Sequence, residues 1–129
     1  MKRITVTGSL VLLVASASLL LLAPATQADS SGNKATITGQ VVDTACYIGH
    51  DSKGPDHAEC ARECAEGGIP LAILDTSTNT LYLPVGMNHK NPNDQLMPYV
   101  EKRVRVTGEV IEKSGMKGIV IEKVEPVGP

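Results

Sequence analysis

Arg103-Val104-Arg105-Val106-Thr107-Gly108-Glu109-Val110-Ile111-Glu112-Lys113 alternates polar and apolar residues almost without a break. A period of two places Val104 and Val106 on one side of an extended chain and Arg103, Arg105 and Glu109 on the other, the pattern of a half-buried β-strand. Ser114-Gly115 then offers a tight turn, and Ile119-Val120-Ile121-Glu122-Lys123-Val124 reads as a returning strand. Far upstream, Thr38-Gly39-Gln40-Val41-Val42 echoes Thr107-Gly108-Glu109-Val110-Ile111. Residues 35–42 are therefore expected to form a bent strand with Ile37, Gly39 and Val41 on one face and Gly39 as a bulge candidate.

Between these runs, residues 70–75 and 81–85 are predicted strands joined by the polar turn 76–80. Residues 43–55 are polar and broken by Gly49, Gly54 and Pro55, so an irregular loop is expected there. A helix of about three turns should follow, with Asp56 as N-cap, Glu59 closing a capping box and Gly67-Gly68 as its stop. Residues 91–94 begin a loop or short helix carrying Leu96, Tyr99 and Val100, with Pro98 limiting its regularity. The expected fold is mainly β: a five-stranded OB-fold-like barrel. A short Cys-bearing helix is inserted between strands 1 and 2, and a short helix lies between strands 3 and 4. The stretch Leu96-Met97-Pro98-Tyr99-Val100-Glu101-Lys102-Arg103-Val104-Arg105-Val106-Thr107-Gly108 resembles the helix-to-strand passage of small exported bacterial OB-fold-like domains of uncharacterised function. That resemblance covers roughly the last third of the chain after the leader. It implies position: the Cys/His segment falls in the first connection, from which OB folds often build binding sites.

The first 28 residues have the three-part plan of a secretory signal peptide. Met1-Lys2-Arg3 is followed by an apolar stretch, densest from Leu10 to Leu22, and then by small residues that allow cleavage after Ala25 or Ala28. No cysteine lies near the cleavage site, as a lipoprotein anchor would need. The expectation is an exported protein, periplasmic or extracellular, with no stable membrane span after cleavage. Residues 29–34 would be a flexible tail and 35–129 a single domain. Cleavage removes two of 12 basic residues and none of 14 acidic ones, moving the formal charge from −2 to −4. An acidic chain without Phe or Trp, with only Tyr47, Tyr82 and Tyr99 to stack on bases, is poorly suited to nucleic acid.

Cys46, Cys60 and Cys64 are the only cysteines, and His57 lies among them. On a helix, His57, Cys60 and Cys64 fall within about 60° of one another, and Cys46 would fold back over that stripe from the preceding loop. Three thiolates and an imidazole suit a thiophilic ion, copper or zinc. Met87, His89 and His50 are auxiliary candidates. The expected function is therefore metal binding, delivery or sensing, without turnover. Two other readings stay open. Cys46 could pair with Cys60 or Cys64, bracing a non-enzymatic module that binds a protein or cell-envelope partner; an odd cysteine count would then leave a spare thiol. Alternatively, Cys60 and Cys64 could simply pack on the barrel alongside Ala58, Ala61 and Ala65. Enzymatic motifs are missing: the thiols are spaced C-x3-C rather than C-x-x-C, and there is no H-E-x-x-H, P-loop or nucleophile elbow. A Cys60–His57 nucleophile pair is the one catalytic option left, because Glu59, Glu63 and Glu66 read as a solvated helix face.

Overall fold

A computed structural model describes residues 32–128. The predicted signal peptide therefore lies outside the described residues. Five strands close into a barrel: β1 (Asn33–Asp43), β2 (Leu71–Asp75), β3 (Thr80–Pro84), β4 (Arg103–Lys113) and β5 (Met116–Pro126), in the order β1-β2-β3-β5-β4 around the wall. All neighbours are antiparallel except β3 and β5, which meet in parallel at Leu83–Gly118 and Pro84–Ile119. Among the described residues closure leaves no long unpaired edge.

Strand β1 serves two partners. Residues Asn33 to Gln40 pair with β4, and Gln40 to Asp43 pair with β2. The bend between them requires Gly39, whose absent Cβ would run into the Leu74 backbone carbonyl. The β-bulge itself falls elsewhere, between Thr107 and Gly108 of β4. The β4–β5 hairpin turns on Ser114 and Gly115, both at positive φ (54° and 79°), as a tight two-residue hairpin requires.

Inward-facing Ile37, Val41, Leu71, Ile73, Val104, Val106 and Ile119 fill the barrel, with Leu96 and Val100 from the β3–β4 connection at one end. That connection carries the expected short helical element as two 3-10 turns, Pro92–Gln95 and Met97–Tyr99. Pro98 supplies no N–H where a helix continuing from Pro92 would need one, so the two turns do not merge into a single α-helix. Outside the barrel, Val42, Ala72 and Leu74 form a second apolar cluster against Tyr47, Leu81 and Leu83.

The β1–β2 connection differs most from expectation. Residues 43–55 are largely ordered as a helix, α1 (Thr44–His50), capped by the Asp43 carboxylate, which accepts from Cys46 N at 2.9 Å. Asp51 closes it with φ 52°, its N–H reaching Cys46 O and Tyr47 O. Thr44 N and Oγ1 both donate to Pro70 O at 3.0 Å, pinning the start of α1 to the start of β2. A 3-10 turn, Pro55–His57, leads into α2 (Ala58–Glu66). Asp56 makes no cap to α2, because the chain enters the helix directly from this turn. The expected glycine stop is present: Gly68 takes φ +96°, and Ile69 N bonds back to Cys64 O. Among the described residues no helix is long and apolar enough to cross a membrane.

Candidate metal centre

Helix α2 settles which of its residues face the barrel. Ala61 and Ala65, four residues apart, are fully or nearly fully buried and pack into the core. Cys60 is exposed and Cys64 half-buried, so the alanines take the packing role and the thiols are left free to face α1. Cys46 reaches them from α1 and not from a loop, held in place by the Asp43 cap.

The donor atoms converge. Single ligand atoms of Cys46, His57 and Cys60 lie within 4.8 Å of one another, and the same holds for Asp43, Cys46 and Cys64. A third group, Asp43, His57 and Glu101, meets the same limit. The three groups interlock: Cys46 belongs to the first two, His57 to the first and third, and Asp43 to the last two. All four primary residues expected from the sequence thus lie in one cluster that could form a metal site. His50, at the exposed end of α1, and His89, on the exposed β3–β4 connection, fall in none of the groups, and Met87 on that same connection is 71% exposed.

Two carboxylates at this site were not anticipated. Glu101 takes an uncommon conformation for a non-glycine residue, φ 59°. Its backbone is fixed by β1: Glu101 N donates to Val41 O at 2.9 Å, and Val41 N donates to Lys102 O at 3.0 Å. The side chain is consequently turned inward and almost wholly buried. Oε2 accepts from Gln40 Nε2 and from Gly54 N, both at 2.7 Å, and Oε1 lies 3.1 Å from His57 Nδ1. Gly54 needs its φ of +109° to present that N–H. With the Nδ1–H tautomer donating to Glu101 Oε1, Nε2 is the ring nitrogen free to take an ion. Carboxylates commonly orient metal-binding histidines in this way.

Asp43 is fully buried. Its Oδ1 caps α1, but Oδ2 has no hydrogen-bond partner and stands 3.6 Å from His57 Nδ1. The surroundings tell on the thiols. Burial, the Asp43 carboxylate and the contact with Cys64 push the Cys46 thiol up to about 12. Cys64 is also raised, chiefly by burial. Each of these causes disfavours a bare thiolate, and a cation would reverse them.

Asp43 left only an ambiguous signal in the sequence, as an Asp opening a polar stretch that reads as a loop. Glu101 left none, since Glu101-Lys102-Arg103 reads as a solvated charge run. No protein family matches the chain, nor does any curated protein or solved structure.

Proposed function

We propose that this is an exported, non-enzymatic metal-binding protein whose Cys/His site takes a thiophilic ion, copper or zinc, for binding, delivery or sensing. Cys46, Cys60 and Cys64 serve as thiolate ligands and His57 as the nitrogen ligand. The observation that carries this reading is the convergence of Cys46, His57 and Cys60 donor atoms within 4.8 Å, although they come from α1, the 3-10 turn and α2. Nothing in barrel packing requires three such side chains to meet, because the alanines of α2 already cover the core. The exposure of Cys60 leaves one side of the site open to solvent. An open side suits an ion that is exchanged with a partner better than one sealed in for structure alone.

The test is to purify the mature domain anaerobically, measure bound metal by elemental analysis, and repeat with Cys60→Ser/Cys64→Ser. Near-stoichiometric copper or zinc in the wild type and its loss in the double variant is the expected outcome. Equal metal content in both would eliminate the site. Counting alkylatable thiols after chelation separates this reading from the disulfide-braced one: three are expected here, and one for a protein with Cys46 paired.

A further inference from the structure

The Cys46 thiol beside the Asp43 carboxylate is only a weak donor and leaves Oδ2 without a well-formed hydrogen bond. A carboxylate oxygen that is fully buried and makes no hydrogen bond is costly unless a positive charge faces it. Asp43 could have capped α1 equally well as Ser or Asn, with no charge to bury. Its Oδ1 is occupied by the cap, whereas Oδ2 is unpartnered. A ligand atom of Asp43 lies within 4.8 Å of those of Cys46 and Cys64. The nearest cationic candidate, His57 Nδ1, is 3.6 Å from Oδ2 and is engaged by Glu101 at 3.1 Å.

We propose that Asp43 is itself a metal ligand through its buried carboxylate, making this a mixed thiolate–carboxylate–imidazole site selective for a divalent ion of the zinc type over Cu(I). The inference rests on the metal reading above and narrows it. Cu(I) is a soft ion that binds thiolates and gains little from a carboxylate, whereas Zn(II) accepts sulfur, nitrogen and carboxylate oxygen together. The position of Asp43 at the end of β1, fixed by pairing with Leu71, sets the carboxylate before any ion arrives. Asp43, Cys46 and Cys64 each offer a donor within 4.8 Å of the other two, so an ion held by Cys46 and Cys64 has the Asp43 carboxylate within reach.

Asp43→Asn retains the side-chain shape and the cap acceptor, and Asp43→Ser retains the cap alone; both remove the charge. Zn(II) and Cu(I) affinities of the wild type and both variants are measured by competition with chromophoric chelators, under reducing conditions. Zn(II) binding should weaken at least about tenfold in each variant, which corresponds to about 1.4 kcal/mol, while Cu(I) binding changes by less than about threefold. Co(II) substituted for Zn(II) should show altered d–d bands in Asp43→Asn, with its thiolate charge-transfer bands retained. Unchanged Zn(II) affinity, an unchanged Co(II) spectrum, or parallel loss of both ions would overturn the assignment of Asp43 and leave the Cys/His site standing. A wild type that binds neither ion would overturn both.

Discussion

Replacing Glu101 by Ala removes one acceptor shared by three donors: Gln40 Nε2 and Gly54 N at 2.7 Å, and His57 Nδ1 at 3.1 Å. A buried polar group that loses its partner costs about 1–3 kcal/mol, and bonds to a charged acceptor lie at the upper end. Gln40, Gly54 and His57 are each half-buried, so water can replace part of what is lost. Burying the carboxylate also carries a cost, which Ala relieves. The net expectation is a loss of about 2–4 kcal/mol, a large share of the stability of a small domain. Urea unfolding of the metal-free, reduced protein measures it. Glu101→Gly supplies the control. It loses the same bonds but releases the positive-φ strain, worth about 1 kcal/mol for a non-glycine residue. The glycine variant should therefore be equal to the alanine variant or more stable by up to about 1 kcal/mol. A loss below about 1 kcal/mol in Glu101→Ala would show that the three hydrogen bonds do not hold the β1–α2 connection together.

The buried Asn93 accepts from Leu71 N at 2.9 Å and donates to Ile69 O at 2.8 Å, tying the end of α2 and the start of β2 to the β3–β4 connection. Asn93→Ala should destabilise by about 2–4 kcal/mol and weaken metal binding by loosening α2, and an effect under about 0.5 kcal/mol would contradict this role. In the metal-free protein the Cys46 thiol is held at about 12 against an ordinary 9.0. The folded state thus binds this proton more tightly than the unfolded chain does, a contribution complete below pH 9 and lost as pH rises toward 12. The urea midpoint should fall across that window, and by less in Cys46→Ser; equal slopes in the two proteins would count against it. Metal binding must displace the thiol protons, so affinity should rise with pH through the neutral range and proton release should accompany titration. A flat profile from pH 6 to 8 would argue against thiolate ligation.

The barrel was legible because its signals are periodic. Alternation in residues 103–113, the Ser114-Gly115 turn and the two glycine-centred echoes each correspond to a real strand or corner. The β1–β2 connection was legible in content but not in form. Thr44-Ala45-Cys46-Tyr47-Ile48-Gly49-His50 buries none of its residues, so it has no apolar stripe to mark it as a helix, and Asp43 and Asp51 close it at its ends. Asp56 looked like a cap by local spacing alone, but Pro55 begins a 3-10 turn that uses those positions differently. The four expected ligands were readable as residue types. Glu101 was not, since its burial follows from Val41 pairing with residues 101 and 102, some 60 positions away in the chain.

The most direct measurement is X-ray absorption at the edge of the metal that copurifies with the mature domain. A sulfur shell at about 2.3 Å together with a nitrogen or oxygen shell at about 2.0–2.1 Å is expected if thiolates and imidazole surround a zinc-type ion. A spectrum containing only light-atom neighbours would mean that Cys46, Cys60 and Cys64 hold no ion.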